Sequence, residues 1–304
     1  METIYLNSEK LNIDKPICSA VGFFDGIHIG HMVLINEVIR VSKEKGYKKA
    51  LITFDHSPAF VLGYFKEERC LTSMEDRQKI LEELGFDYLF IIAFNKDVAA
   101  LSPQDFISYY LLNANIKHVV CGFDFRFGSH NLGDVKTLNA CHEFETSIID
   151  EVMYKGEKIS STRIRQILAD GQIDDMNELL GRYYTVHGEV VKGRQIGHSI
   201  GFPTANVDYQ SYFLPCNGVY AVKVKVNQID YIGMCNIGFN PTFTALDKPS
   251  LEVYIFDFDE DIYGEDISIE FHYFIRKEKA FASKAELIVQ LQTDKDYIND
   301  YFKK

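Results

Sequence analysis

Residues 22–31 of the chain have the sequence GFFDGIHIGH, and this segment decides how the first half of the protein is interpreted. An apolar run from Ile17 to Val21 precedes it and predicts a buried strand. Apolar residues at helical spacing from Val33 to Ile39 follow it and predict a helix. A glycine-rich loop before a helix N-terminus suits an anion, because the backbone can approach closely and helical N–H groups point at the ligand. We therefore expect a phosphate site that includes Gly22, Phe24, Asp25 and Gly26.

Two histidines, His28 and His31, stand at the helical end of this loop. An imidazole can donate a hydrogen bond to a phosphoryl group without a permanent charge. The spacing is neither that of a Walker loop nor that of a dinucleotide-binding fingerprint. Two other interpretations stay open. One is a glycine turn with two incidental histidines, and the other is a metal site, although no nearby Cys, Asp or Glu completes a ligand set.

The composition predicts a globular protein that works in the cytoplasm. The chain has 304 residues, 46% of them hydrophobic, and a net charge of −12, which argues against non-specific binding to nucleic acid or acidic membranes. The N-terminus lacks the apolar segment of a signal peptide, and no apolar run approaches the roughly 20 residues of a membrane span. The six cysteines form no C-x-x-C pair, so we expect them to be reduced. The oligomeric state is not readable from the sequence.

The pattern of apolar residues predicts two domains. Up to about residue 150, short apolar runs alternate with helical patterns, which predicts an α/β domain with a doubly wound parallel sheet. Ligands of such sheets bind beyond the carboxyl ends of the strands, where residues 22–31 lie. We predict helices that start near Thr72, with Glu75 completing a capping box, and at Ser102. The predicted strands are Cys18–Phe23, Ala50–Phe54, Tyr88–Phe94, His118–Cys121 and Ser147–Ile149.

Beyond residue 183 the apolar pattern changes to a period of two, which predicts a small closed or partly open antiparallel barrel. A helix with an apolar face follows from Ser283. We therefore predict a first domain over 1–170, a linker over 171–182 and a second domain over 183–304. The predicted strands of the second domain are Tyr184–Val191, Val219–Val226, Tyr231–Ile237, Leu251–Phe256 and Ile267–Phe274.

Residues 160–165 are a second segment that we expect to bind phosphate, because hydroxyl and backbone N–H groups lie close together at a predicted helix start. Ser161 and Thr162 supply hydroxyls, and Arg165 lies one turn inside the helix, where its guanidinium can bind phosphate oxygens bidentately. The alternative is an ordinary helix cap followed by surface arginines.

Two segments of the second domain also predict chemistry. In residues 201–206, GFPTAN, Gly201 and Pro203 fix the backbone, while Thr204 and Asn206 present hard oxygen ligands suited to Mg²⁺ with nucleotide phosphates. The alternative is an ordinary Gly-Pro turn. Glu252 lies among apolar and aromatic residues at a predicted strand start, where a carboxylate is either a general base or a solvated edge residue.

These motifs together resemble prokaryotic bifunctional riboflavin kinase/FAD synthetases. Residues 22–31 and 160–165 are similar to the two nucleotidylyltransferase signatures of that family, and residues 188–206 to its riboflavin kinase signature. The resemblance covers roughly residues 15–300. It implies a Rossmann-like first domain that adenylylates FMN to FAD with release of pyrophosphate, and a barrel that phosphorylates riboflavin to FMN. Each step would use ATP and Mg²⁺.

The resemblance also implies roles for individual residues. His28 and His31 would hydrogen-bond the reacting α-phosphate of ATP, and Glu252 would take the proton of the riboflavin 5′-hydroxyl. Pyrophosphate would be bound by Ser161, Thr162 and Arg165, and Mg²⁺ by Thr204 and Asn206. ATP would also be bound by Gly22, Phe24, Asp25, Gly26, Gly201 and Pro203. Flavin contacts would come from Asp124, Arg126 and Arg276, and the alternative for Arg276 is a salt bridge.

Two departures from the family pattern leave other hypotheses open. The family usually has Pro-His-Pro where residues 56–58 are His-Ser-Pro, and it often has arginine where this chain has His198. Such changes permit an alternative in which only one module is catalytic and the other is a flavin-binding or regulatory unit. A third hypothesis keeps the first enzyme but changes its acceptor, since fold does not fix substrate.

Overall fold

The computed structural model describes residues 1–193, 197–239 and 248–303, without the side chains of His198 and Ser199. The altered side chain of His198 therefore lies outside the described residues. The chain divides into two compact units, Met1–Ser161 and Thr162–Lys304. The boundary between the units lies before the predicted linker over 171–182, most of which is a helix with four buried apolar residues.

The first unit contains one sheet of six strands in the order β1-β4-β3-β2-β5-β6, and every pairing is parallel. Five of the six strands were predicted to within two residues at each end. The edge strand β1 was not predicted, and three of its five residues are exposed. The strands are β1 (Glu2–Leu6), β2 (Ile17–Val21), β3 (Lys48–Phe54), β4 (Tyr88–Ile92), β5 (Ile116–Gly122) and β6 (Glu145–Ile149).

Helices connect these strands, and a hairpin of two short strands, each two residues long, follows them. The helices are α1 (Ile29–Lys45), α2 (Pro58–Val61), α3 (Met74–Glu83), α4 (Lys96–Ala100), α5 (Pro103–Phe106), which continues as a π-helix over Ile107–Leu112, and α6 (Val135–Asn139); the hairpin is β7 (Met153–Tyr154) with β8 (Glu157–Lys158).

Alternate residues of the central strands belong to two apolar cores, one on each face of the sheet. In β3, Ala50 and Ile52 pack with Phe106 in one core, whereas Leu51 packs in the other core with Ile35 of α1. Because successive side chains of a strand point to opposite faces, both faces of the sheet are covered. The predicted doubly wound α/β fold is confirmed.

The start of α3 was predicted one residue too early. Its N-cap is Ser73, whose hydroxyl accepts a hydrogen bond from the N–H of Asp76. Thr72 is unavailable as the cap because its hydroxyl accepts a hydrogen bond from the N–H of Gly26 instead. The predicted start of α5 at Ser102 is confirmed.

The second unit is a closed antiparallel barrel of six strands in the order β10-β13-β12-β11-β14-β9. The predicted barrel is confirmed, although β10, which has only four residues and overlaps the motif of residues 201–206, was not among the predicted strands. The elements are α7 (Ser161–Ala169), whose first residue closes the first unit, α8 (Ile173–Leu180), β9 (Tyr184–Val191), β10 (Ala205–Asp208), β11 (Gly218–Val226), β12 (Ile229–Gly238), β13 (Ser250–Ile255), β14 (Asp266–Arg276) and α9 (Lys284–Phe302).

None of the six cysteines, all of which lie within the described ranges, forms a disulfide. Burial raises the pKa of the Cys18 and Cys121 thiols to about 12, so both stay protonated at neutral pH. Among the described residues, no helix combines the length and the apolar character that a membrane crossing requires.

The terminal helix α9 stabilises the barrel by packing an apolar face against it. Ile298 of α9 is completely buried in a cluster with Val219 of β11 and Met234 of β12. Val289 of the same helix is 67% exposed. We expect Ile298→Ala to lower the free energy of unfolding of the barrel by about 2–5 kcal/mol, since it leaves a cavity in this cluster.

The measurement is urea unfolding followed by far-UV circular dichroism, because the chain contains no tryptophan. The matched control is Val289→Ala, which we expect to change stability by no more than about 0.5 kcal/mol. Equal effects of the two variants would contradict this account of α9.

Candidate functional sites

Residues 22–31, which we call the phosphate loop, connect the carboxyl end of β2 to the N-terminus of α1. His28 is the N-cap of α1, and its Nδ1 accepts a hydrogen bond of 3.2 Å from the N–H of His31. An imidazole nitrogen that accepts this bond carries no proton, so the neutral ring holds its proton at Nε2. His28 therefore has an N–H donor at the ring position opposite the cap.

The two histidines lie one on the other. Their ring centroids are 3.6 Å apart with an interplanar angle of 15°, and the ring of Phe24 lies 5.0 Å from that of His31. The N–H groups of the first turn, at Ile29 and Gly30, have no acceptor within the helix. The structure thus brings the predicted histidines together with the positive end of α1, which suits an anionic phosphoryl group.

Asp25 and Gly26 hold the phosphate loop in place. Asp25 is buried, and its Oδ1 accepts hydrogen bonds from the N–H groups of Leu71 at 2.8 Å and Thr72 at 3.2 Å. The N–H of Gly26 donates to the hydroxyl of Thr72 at 2.9 Å. These groups were predicted to bind ATP, and that contact stays a prediction. What the structure shows is that they fix the loop to the segment before α3.

The second predicted phosphate-binding segment, residues 160–165, contacts the phosphate loop through Ser161. Its hydroxyl donates a hydrogen bond of 2.7 Å to the main-chain oxygen of Asp25. Helix α7 begins at Ser161, with Thr162 in its first turn and Arg165 one turn further along the helix. The structure confirms the helix start, and the phosphate-binding roles of the three residues stay predictions.

The predicted flavin-side residues of the first unit follow the carboxyl end of β5. Asp124 pairs with Lys158 at 2.5 Å, and Arg126 pairs with Asp134 at 3.3 Å. Both Asp124 and Arg126 are exposed at the same sheet edge as the phosphate loop. A ligand can reach both side chains, but each would have to break its existing ion pair in order to bind that ligand.

His56, in the segment that departs from the family pattern, is also paired. Its Nδ1 lies 2.7 Å from Oε2 of Glu68, whose other oxygen accepts the N–H of Ser57. The hydrogen bond to Glu68 raises the pKa of His56. The pair closes residues 56–68 into a loop, and this gives His56 a structural role.

In the barrel, strand pairing places the side chains of Asn206, Glu252 and Asn236 in one row. Asn206 of β10 lies opposite Glu252 of β13, and Glu252 lies opposite Asn236 of β12. Directly opposite residues of antiparallel strands point to the same face. Leu251 and Val253, on either side of Glu252, are buried and point to the other face. The register therefore presents a carboxylate between two amides.

Thr204 joins this row to a cavity. Its hydroxyl lies 3.5 Å from Oε2 of Glu252 and it lines a cavity of about 460 Å³. Gly201 precedes it with φ of 83°, a left-handed conformation that favours glycine. The cavity is lined by Val190, Pro203, Thr204, Ala205, Val253, Ile255, Phe258, Asp259, Glu260, Asp261, Ile262 and Tyr263.

The donor set fits Mg²⁺. The Thr204 hydroxyl and the Asn206 amide are hard oxygen donors beside the Glu252 carboxylate, and Mg²⁺ needs few protein ligands when phosphate oxygens and waters complete its shell. The Asn206 amide packs so closely on Gly193 that a Cβ there would lie 2.1 Å from Nδ2. In the described ranges, no three His, Cys, Asp or Glu side chains are grouped as metal ligands.

Arg276 forms a salt bridge, which was the alternative to a flavin contact in the sequence-based interpretation of this residue. Its Nη2 donates to Asp294 of α9 at 2.8 Å and its Nε to the same carboxylate at 3.0 Å. Its Nη1 donates to the main-chain oxygen of Lys277. A flavin contact by Arg276 stays a prediction, since each of its guanidinium nitrogens already has an acceptor.

Several residues that contact the phosphate loop or line the barrel site were not predicted from the sequence. Arg77 of α3 is 3% exposed and contacts the phosphate loop, and residues 258–263 line the cavity of the barrel. Glu278 lies beside Asn236, and partial burial raises the pKa of its carboxyl despite a hydrogen bond from Asn217. The only available signal was the position of Arg77 four residues before Leu81, on the buried face of a predicted helix.

We expect Glu68→Gln to lower the pKa of His56 toward the ordinary histidine value near 6.5, because the carboxylate that stabilises the imidazolium is lost. In the native protein the pair contributes stability that is fully present below pH 6.5 and is lost as the pH rises through the raised pKa of His56. The measurement is an NMR titration of the His56 ring. Glu67→Gln, a neighbour paired to Arg69, serves as the control and should leave the pKa unchanged. An unaltered titration in Glu68→Gln would contradict the pairing.

Comparison with known proteins agrees with this division into two sites. Residues 10–163 match the family model described as FAD synthetase, and residues 180–302 match the model described as riboflavin kinase. A bifunctional riboflavin kinase/FMN adenylyltransferase of Listeria monocytogenes is 39% identical over 100% of this chain and 99% of its own length. The protein of the same name from Bacillus subtilis is 40% identical over 93% of this chain and 92% of its own length.

A solved structure from Streptococcus pneumoniae, named as a macrolide-efflux protein, superposes with a TM-score of 0.91 and 32% identity over 98% of each chain. The two family models together cover both units, and the relatives align along nearly the whole chain. The chain belongs to the bifunctional riboflavin kinase/FMN adenylyltransferase family.

Proposed function

We propose that this protein makes FAD from riboflavin in two ATP-dependent steps, with the barrel as riboflavin kinase and the first unit as FMN adenylyltransferase. The observation that carries the proposal is that each unit holds its own group of side chains suited to binding phosphate. The first unit has the stacked histidines at the start of α1, and the barrel has Glu252 beside Thr204 and Asn206. We assign the first activity to the predicted domain 1–170 and the second to 183–304.

In the first unit, adenylyl transfer joins a phosphate oxygen of FMN to the α-phosphorus of ATP and releases pyrophosphate. Such a reaction depends on positioning and on neutralising charge, so no covalent nucleophile is needed. The Nε2–H of His28 and the N-terminus of α1 are positioned to stabilise charge on the α-phosphate. Ser161, Thr162 and Arg165 would bind the leaving pyrophosphate, and Asp124 and Arg126 the flavin side.

In the barrel, the 5′-hydroxyl oxygen of riboflavin attacks the γ-phosphorus of ATP, its proton passes to Glu252, and ADP leaves. The cavity beside Thr204 would receive the nucleoside of ATP, with the phosphates at its Thr204 end. Asp259, Glu260 and Asp261 line the cavity and repel the triphosphate, so they favour this orientation. Mg²⁺ held by Thr204 and Asn206 would neutralise phosphate charge.

Two features of the site agree with a role for Glu252 as the base. Its carboxylate lies within 3.5 Å of the Thr204 hydroxyl, next to the proposed phosphate position. The Oε1 atom of Glu252 lies 3.4 Å from the Ser250 hydroxyl, whose one proton has a nearer acceptor in the main-chain oxygen of Gly238 at 3.0 Å, so this carboxylate oxygen can accept a proton.

The absence of disulfides among the six cysteines fits a reducing compartment, and we propose the cytoplasm.

We expect Glu252→Gln to lower the rate of FMN formation from riboflavin by about 10²–10⁴-fold, because it removes the proton acceptor with little change in shape. FAD formation from supplied FMN should stay at the wild-type rate. Both products are measured by chromatography of the purified protein with ATP and Mg²⁺. The control is Asp230→Asn, an exposed carboxylate near the start of β12 that pairs with Lys225 of β11. Loss of both activities in a folded Glu252→Gln protein would contradict two separate sites.

We expect His28→Asn to lower the rate of FAD formation from FMN by about 10²–10³-fold, as for the loss of one donor to a developing anion. Asparagine is a good N-cap, so the substitution keeps the start of α1 while it removes the Nε2–H. FMN formation from riboflavin by the same preparation is the internal control. Wild-type FAD synthesis by this variant would show that His28 has no part in the reaction.

A further inference from the structure

The guanidinium of Arg77 is a buried charge that the mechanism above does not use. The side chain is 4% exposed, and it lies on α3, outside every motif that the sequence analysis identified. A buried charge is costly unless it is paired and hydrogen-bonded, so its partners indicate what it does.

Those partners belong to three chain segments that meet at the phosphate loop. Nη1 donates to the main-chain oxygen of Phe23 at 3.1 Å and lies 3.4 Å from the hydroxyl of Thr53, at the end of β3. Nη2 donates to the main-chain oxygen of Thr72 at 3.4 Å and lies 3.9 Å from Oδ1 of Asp25. The guanidinium carbon lies 4.9 Å from the centroid of the Phe23 ring. A planar fork can bridge such divergent acceptors, whereas an ammonium group is a single point charge.

The first half of the phosphate loop needs this support because its backbone is strained. Phe24 has φ of 52° and Ile27 has φ of 35°, both in the left-handed region that residues with side chains rarely adopt. Such conformations persist only where the surrounding structure imposes them. Here the surroundings include the hydrogen bonds from Leu71 and Thr72 to Asp25. They also include two bonds to the main-chain oxygen of Phe23, from the Thr53 hydroxyl at 2.8 Å and from Arg77 at 3.1 Å. His28 follows directly after this strained stretch.

We infer that Arg77 is a positioning residue for adenylyl transfer: it holds the first half of the phosphate loop so that His28 and the N-terminus of α1 face the reacting phosphates. This inference rests on the proposed function of the first unit. It predicts that loss of the fork displaces the donors from the transition state more than it weakens binding of the substrates. A misplacement of about 1 Å is enough to lower a rate by about 100-fold.

The test compares Arg77→Met with Arg77→Lys in steady-state FAD synthesis from FMN and ATP. We expect Arg77→Met to lower kcat by about 100-fold, with the KM for FMN changed by less than about threefold. Arg77→Lys keeps the charge but not the fork, so we expect it to recover only part of kcat. The matched control is Arg40→Met, an exposed arginine of α1 paired to Glu37 and Glu44, which should leave kcat unchanged.

A double variant separates positioning from mere stability. Arg77→Met leaves the Asp25 carboxylate buried without its nearby cation, and this destabilises the first unit. Adding Asp25→Asn removes that charge and keeps an oxygen for the N–H groups of Leu71 and Thr72. We expect Asp25→Asn/Arg77→Met to recover thermal stability, while its kcat stays far below that of Asp25→Asn alone. Recovery of both would show that Arg77 acts only through stability and would overturn the inference.

Two further measurements keep the outcomes distinct. Riboflavin kinase activity of every variant reports whether the barrel of the same preparation is intact. Absence of FAD synthesis by the wild-type protein would reject the proposed function itself. FAD synthesis by wild type with an undiminished kcat in folded Arg77→Met would reject the role of Arg77 alone.

Discussion

The buried carboxylate of Asp25 is the interaction on which the site of the first unit depends. By accepting the N–H groups of Leu71 and Thr72, it joins the loop after β2 to a segment 46 and 47 residues further along the chain. Buried N–H groups without an acceptor are costly, so this contact fixes both segments at once. Asp25 lies between the strained positions Phe24 and Ile27, directly before the segment that carries the stacked histidines.

The site of the barrel depends instead on strand register. Asn206, Glu252 and Asn236 share a face only because β10, β13 and β12 pair as they do. A shift of one residue would turn Glu252 to the opposite face and expose Leu251 in its place. Closure of the sheet into a barrel with α9 packed against it makes such a shift costly, since the buried side of β13 is specified along its length. The proposed phosphate sites of the two units are therefore held by different physical means.

Apolar periodicity predicted most of this architecture, and its failures have local causes. The strands β1 and β10 were missed, because one is an exposed edge strand and the other is short and follows a proline. Residue spacing placed His28 and His31 together but did not reveal that Asp25 serves the scaffold. That role depends on Leu71 and Thr72, and no local pattern reports a contact so distant in sequence. Arg276 likewise forms its salt bridge with Asp294 of α9, 18 residues further along the chain.

The most direct test of the two-site account follows labelled phosphorus through the wild-type protein. Riboflavin with Mg²⁺ and ATP labelled at either the α- or the γ-phosphate is converted, and the FMN and FAD formed are separated and counted. The account predicts that FAD made from riboflavin acquires label from both positions, whereas FAD made from supplied FMN acquires only the α-label. FMN without γ-label, or no α-labelled FAD from supplied FMN, would contradict it.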